Sequence, residues 1–382
     1  MKKNKKKLLV MITHSLGELD VLCPLFTGVK KKYDVDVEII FVVNKIYQQF
    51  ETNDFYRFCV KELDIKITSC QLPNKFDYRD SILVTNALGR LLIKYYFKML
   101  LLIKFPLIFL KLFLADAYMH ETSNQRSSTF LLHRAAGILG KTIFTYHHGH
   151  SLNQMRDHPR KIYQAEESVF LLFHELNKDW ANSLGYTKQY VIGFTKFYSE
   201  WISLLNKYNR ENFQDHIVIF SRQENHPYYM DSDKYKSLII ESYESIRKYY
   251  RDNMIVIKPH PREDITLINN IIDKEKMKNI QISWCHSGIL SKNAILAISF
   301  WTSAVFDSLS LNIPTIEFYK EATNFRQAEP KGSLYKLHGI ESVETKEDLI
   351  KMIERIKTKN YQFPPIINEL SLTKDLSFIA VS

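Results

Sequence analysis

Short apolar runs, rich in Val, Ile and Phe, recur along this chain, and longer amphipathic stretches separate them. "KLLVMIT", "VDVEIIFVV", "GKTIFTYHH", "ESVFLLFHE" and "QYVIGF" form a first group. "HIVIFSR", "NMIVIKPH", "NIQISW", "NAILAISFW" and "IPTIEFY" form a second. A strand with one solvated face alternates apolar and polar residues. Most of these runs are near-continuous, so both faces are covered, as in parallel sheets joined by crossover helices. The first group ends in "YVIGFTKF" at 190–197, and the second begins with "HIVIFSR" at 216–222. Between them "YSEWISLLNKYNRENFQD" reads as a helix and a polar linker. The expected architecture is two α/β domains, 1–200 and 201–360, with parallel sheets facing across a cleft. A chain of 382 residues gives each domain enough length to bury its own core.

Hydrophobic residues make up 45% of the chain and charged residues 25%, the balance of a folded protein. The net charge of +10 favours an anionic partner such as a nucleotide, a nucleic acid or an anionic membrane surface. No recognition helix, RNP signature or aromatic platform accompanies it, so nucleic acid is not expected. Cys23, Cys59, Cys70 and Cys285 are scattered, with no CxxC pair. That argues against a zinc module or a disulfide framework and fits a reducing, cytoplasmic compartment. The start, "MKKNKKKLLVMIT", reads as a basic tail running into a first strand, because its apolar run is too short for a signal peptide.

One segment departs from the soluble pattern. "RLLIKYYFKMLLLIKFPLIFLKLFLADAY", 90–118, is long enough to suggest a membrane span. However, Lys94, Lys98, Lys104 and Lys111 interrupt it and Pro106 kinks it. Each central lysine costs about 2.5–3.5 kcal/mol on insertion scales. At 100° per residue the four fall within roughly 140° of arc. The segment 90–115 is therefore expected to be a basic amphipathic helix in the membrane interface, its lysines reaching the headgroups.

Three strand ends in the second domain present polar or cationic groups. In "MIVIKPHPRED", 254–264, a strand ends at Lys258, and Pro259 and Pro261 fix φ on both sides of His260. A preorganised His beside a Lys suits a phosphate. In "AILAISFWTSAVFDSLSLNIPTIEFY", 294–319, a strand ends at Ser299. "WTSAVFDSLSL" reads as a helix with Thr302 and Ser303 in its first turn, an anion site supported by the dipole. The following strand delivers Glu317, placed to accept from ribose hydroxyls. In "IVIFSRQENHP", 217–227, Ser221 and Arg222 follow the strand, and Arg222 is placed to pair with phosphate.

This pattern resembles the donor domain of GT-B glycosyltransferases, which have two Rossmann-like domains. It is most similar to the bacterial branch of sialyltransferases, polysialyltransferases, Kdo transferases and capsule-synthesis enzymes. These carry a His-Pro motif after a strand and a Ser/Thr-rich helix start further on, both contacting the phosphate of a CMP-activated sugar. The resemblance covers roughly 216–320. It assigns the donor site to Ser221, Arg222, Lys258, His260, Pro261, Ser299, Thr302, Ser303 and Glu317. A similar "KPHP" occurs in glycerophosphotransferases that use CDP-glycerol, so the motif alone does not fix the donor.

The first domain adds "MITHSLGELD", 11–20, which looks like the "H-x-x-S-x-G-E" element of lipid A Kdo transferases, one residue shorter. There the glutamate is the catalytic base, and Glu18 matches it. Asp20 and Asp116 are further candidates. "TYHHGHSLNQ", 145–154, reads as a loop contacting a substrate, and with His14 it supplies His148 and Gly149. No carboxylate or Cys stands near these histidines in the sequence, so no metal is expected there. No Asp-x-Asp motif of the metal-dependent kind ends a strand either. Activity without a divalent ion or other cofactor is expected, with CMP as product. "YVIGFTKFYSEW" resembles the family's "G-x-P-K" exit from the first domain, with Thr195 in place of the proline, and the tail 361–382 is expected to cross back onto that domain. The implied activity moves a nonulosonic acid (sialic, legionaminic or pseudaminic acid) or Kdo onto a lipid-linked or surface glycan. Capsule and lipopolysaccharide synthesis at the inner face of the plasma membrane are the implied setting. The alternatives are a CDP-glycerol or CDP-ribitol phosphotransferase of teichoic-acid type, a UDP-sugar transferase and a noncatalytic membrane-binding protein of the same fold.

Overall fold

The computed structural model describes residues 5–70, 106–122, 127–148, 165–209, 213–222, 231–261, 263–320, 339–364 and 375–381. Contacts divide the chain into two units. The first is Met1–Gly149, Arg160–Thr195 and Thr373–Ser382, and the second is His150–Pro159 and Lys196–Leu372.

The strands of the first unit are β1 (Lys6–Ile12), β2 (Val35–Phe41), β3 (Lys66–Ser69), β4 (Ala117–Glu121), β5 (Thr142–Tyr146), β6 (Val169–Leu172) and β7 (Lys188–Val191). They pair in the order β3-β2-β1-β4-β5-β6-β7, every pair parallel. The order runs outward one way from β1 and the other way from β4. This reversal makes a switch point between β1 and β4, and ligands of such sheets bind at the carboxyl ends of strands there.

The second unit repeats the plan with β8 (His216–Phe220), β9 (Ile255–Lys258), β10 (Ile280–Ile282), β11 (Ala294–Ser299), β12 (Thr315–Phe318) and β13 (Ser342–Val343). The order is β10-β9-β8-β11-β12-β13, again all parallel, with the switch point between β8 and β11. The near-continuous apolar runs are explained by the packing. Ile217, Ile219, Ile255, Ile257, Leu296 and Ile298 share one buried cluster with the helices Ser232–Tyr249 and Lys346–Lys357. Their alternating neighbours Val218, Phe220, Val256 and Ala297 pack on the other face with Leu290.

Three strands were not among the expected runs: β3, β4 and β13. The most consequential is β4, "AYMHE", which is buried at every position and lies beside β1. It has no β-branched residue and adjoins the apolar stretch that precedes it, so composition did not separate the two.

The helix Ser199–Lys207, read as a connection, is packed into the second unit. Trp201 is fully buried and its ring meets His286 edge-on, while Lys292 Nζ donates to the Asn206 carbonyl at 3.1 Å. Just before it, Lys196 and Asp307 form a fully buried ion pair at 2.5 Å, and Ser287 Oγ donates to the same carboxylate oxygen at 2.7 Å. At the other end of the chain, Phe378 of the helix Ser377–Val381 stacks on Tyr190 with ring centroids 4.2 Å apart. The Tyr33 hydroxyl donates to Asp375 at 2.9 Å, so the C-terminal residues complete the first unit.

Of the basic apolar segment, 71–105 lies outside the described residues. Residues 106–114 are helical, with Ile108 and Leu112 in the core beside Leu9 and Tyr118. Leu107, Leu110, Phe113 and Leu114 are more than half exposed. Lys111, expected to reach headgroups, instead forms an ion pair with Glu38 of β2. Among the described residues no helix is long and apolar enough to cross a membrane.

Candidate active site

In the first unit the chain leaves β1 through Thr13, His14 and Ser15 into the 3-10 turn Leu16–Glu18. The Glu18 side chain folds back over that exit. Its Oε1 accepts the backbone N–H of Thr13 at 3.0 Å, His14 at 2.6 Å and Ser15 at 3.2 Å. Its Oε2 accepts the hydroxyl of Tyr146, the last residue of β5, at 2.8 Å. Burial pushes the carboxyl up to about 7, and the nearby Glu121 carboxylate adds to the effect. The donated hydrogen bonds from His14 and Tyr146 oppose it.

Glu121 ends β4 and is also fully buried. Its Oε1 lies 3.3 Å from His148 Nδ1 and 3.5 Å from His148 N. The His148 side chain keeps 29% of its surface exposed. Its ring is 4.4 Å from that of His14 and 5.7 Å from that of His147, which meets Trp180 edge-on. The ends of β1, β4 and β5 thus gather two buried carboxylates under a group of imidazoles at the switch point. The sequence shows no carboxylate near His147 and His148, and the fold supplies one from β4.

Asp20 sits half-buried in the first turn of the helix Leu19–Lys32. Asp116 is elsewhere: it precedes β4 and accepts the Lys7 N–H at 2.7 Å, at the amino edge of the sheet and away from Glu18. Gly149 lies outside the described residues.

In the second unit, Phe220 of β8 is in register with Lys258 of β9 and Ser299 of β11. Three loops therefore leave the sheet at one level, carrying Ser221 and Arg222, Pro259 to Pro261, and Phe300 to Ser303. Arg222 donates to the Trp301 carbonyl at 2.7 Å, tying two of these loops together. Trp301 has φ of 51°, a left-handed conformation that costs a bulky residue roughly 1–3 kcal/mol. Thr302 and Ser303 follow it in a turn, and the helix begins only at Val305 and runs to Ser310. They stand just before the helix, after the left-handed Trp301, and not in its first turn as expected. Their backbone carbonyls accept from Val305 and Phe306 at 3.2 and 3.1 Å, and Ser299 Oγ donates to the Thr302 carbonyl at 3.1 Å. Glu317 lies inside β12, fully buried, with Ser342 Oγ donating to it. It is in register with Ser299 but has no solvent exposure for a ribose. Lys258 and His260 are half-buried and Pro261 is exposed.

Two residues of this end were missed by sequence reasoning. Trp284, just after β10, is 51% exposed beside the β9 loop, where the Ser283 N–H bonds the Ile257 carbonyl at 2.9 Å. An exposed indole at a strand end has a flat apolar face for an aromatic ligand. Glu263, three residues after His260, has its carboxylate buried under the turn.

No family model matches the sequence, and no curated protein matches it. Solved structures do match its fold. A candidate UDP-N-acetylglucosamine 2-epimerase from Listeria monocytogenes superposes with a TM-score of 0.57 at 11% identity, covering 98% of this chain and 93% of that one. Phytolacca americana UGT2, solved with UDP-2-fluoro-glucose and pterostilbene, gives 0.51 at 9% identity, covering 97% and 94%. Both matches extend over nearly the whole chain. With two all-parallel sheets of Rossmann strand order, the fold is GT-B.

Proposed function

We propose that this protein is a glycosyltransferase that moves a sugar from a nucleotide-activated donor to a surface glycan. The observation that carries the reading is the set of three loops leaving β8, β9 and β11 at one level, with Arg222, Lys258, His260, Thr302 and Ser303 among them. Cationic side chains and hydroxyls at a switch point suit a leaving phosphate. The donor is a CMP-activated nonulosonic acid or Kdo, on the resemblance of the His260 turn.

In this reading Lys258, His260 and Arg222 take up the phosphate charge as the anomeric C–O bond breaks, without a resident divalent ion. The acceptor hydroxyl attacks the anomeric carbon and its proton passes to a general base. The geometry favours His148 for that role: it is partly exposed and a buried Glu121 stands at its Nδ1 to stabilise the imidazolium. Glu18 is engaged at both oxygens and fully buried, so its part is to hold the loop that carries His14. The exposed apolar face of helix 106–114 supports an acceptor tethered in an anionic membrane, which the protein meets from the cytoplasmic side.

A thermal-shift panel with CMP, CDP, UMP, UDP and GDP, with and without EDTA, tests the donor on wild type and His260→Ala. A ligand at 100 times its dissociation constant stabilises by about 2.7 kcal/mol. A CMP-dependent shift lost in the variant supports the reading. A shift with UDP or GDP alone sinks the CMP assignment, and no shift with any nucleotide sinks the enzyme.

A further inference from the structure

The His260 turn rests on a buried carboxylate. Glu263 Oε2 accepts the His260 backbone N–H at 2.6 Å and the Ser221 hydroxyl at 2.8 Å. Its Oε1 accepts the hydroxyl of Tyr235, a fully buried residue of the helix Ser232–Tyr249. The Glu263 N–H closes the turn onto the His260 carbonyl at 2.9 Å. One side chain therefore joins the β9 loop, the β8 loop and the helix packed beside them. The Ser221 backbone N–H reinforces the join by donating to the Lys258 carbonyl at 3.1 Å.

A carboxylate at 9% exposure is costly to keep, and burial does push this one upward. Three donors offset the cost, because an ionised carboxylate is acceptor-only and meets all three at once. An amide in its place would turn an N–H₂ toward one of them. Pro259 and Pro261 fix the backbone dihedrals of the turn, but they do not anchor it to the sheet. Glu263 does.

We propose that Glu263 is the positioning residue of the donor site, holding His260 and Ser221 in the arrangement that receives the nucleotide phosphate. This rests on the function proposed above. Glu263 does not touch the donor. It acts through the turn, so its removal costs affinity by letting His260 wander.

The test uses the full chain as wild type, Glu263→Ala and Tyr235→Phe, the last removing one anchor with little change of shape. Amide hydrogen exchange over 254–264 reads the clamp without any ligand. CMP and UDP titrations read the site, and KM for the donor is compared with KM for the acceptor. Loss of a hydrogen bond to a charged group predicts about tenfold or more weaker nucleotide binding in Glu263→Ala, with a smaller loss in Tyr235→Phe. The His260 amide should exchange faster in both, and the acceptor KM should stay put. Unchanged exchange at His260 overturns the clamp, whatever the nucleotides do. Freed exchange with wild-type nucleotide affinity overturns the positioning role. A wild-type chain that binds neither nucleotide overturns the donor site itself and with it the positioning role, and the exchange data then show separately whether the clamp stands.

Discussion

Glu18→Gln isolates what burial does to a carboxyl at the end of β1. The wild-type group is raised from its ordinary 4.5 to about 7, with burial as the main cause and Glu121 as the second. At 1.36 kcal/mol per tenfold change in proton affinity, that is about 3 kcal/mol. The folded state holds this proton more tightly than the unfolded state does. The contribution is therefore fully present below pH 4.5 and is lost as pH rises through about 7. Glutamine binds no proton in this range. It keeps a carbonyl oxygen for the three N–H groups of the β1 exit and turns its amide toward Tyr146. The stability of wild type relative to the variant should fall by about 3 kcal/mol between pH 4.5 and pH 8. Urea unfolding of both proteins at the two pH values reads the swing directly. Curves that stay parallel to within about 0.5 kcal/mol would refute the reasoning, since that is the range of a neutral surface substitution. Glu121→Gln supplies a control: removing the second cause should lower the Glu18 carboxyl and shrink the swing.

His148→Ala should slow sugar transfer by about 10² to 10⁴, the usual worth of a general base, while CMP protection against melting stays at the wild-type level. Lys196→Met leaves Asp307 buried without its ammonium and should cost about 3–5 kcal/mol in denaturant unfolding. Adding Asp307→Leu should recover most of that loss, and failure to recover it would show that the pair is not the source. Charging the exposed face of helix 106–114 with Leu110→Glu and Phe113→Glu should abolish co-sedimentation with vesicles containing anionic lipid. Transfer to a water-soluble acceptor should persist, and vesicle binding equal to wild type would remove this helix from the membrane contact.

The strands were legible because burial on both faces leaves a mark that is local and repeated. β8, β9 and β11 carry almost nothing but apolar residues until they end. β4 was missed for the same physical reason in reverse: it is as buried as the others, but Ala, Tyr, Met, His and Glu do not spell a strand. That omission hid Glu121, and with it the partner of His148. The His260 turn was legible because two prolines announce a fixed backbone. Its anchor was not, because Glu263 meets a serine 42 residues earlier and a tyrosine 28 residues earlier. Glu18 was legible as a candidate from its motif, yet its state was not, since the hydroxyl on its second oxygen comes from 128 residues away. Thr302 and Ser303 were read into the first turn of a helix, and they stand just before it, after a left-handed tryptophan. Groups whose chemistry depends on their own neighbours in the chain show in the sequence. Buried carboxylates show only in part, because Glu18 and Glu263 take local backbone donors while the hydroxyls of Tyr146, Ser221 and Tyr235 that complete them come from distant segments, and each candidate site here stands on one.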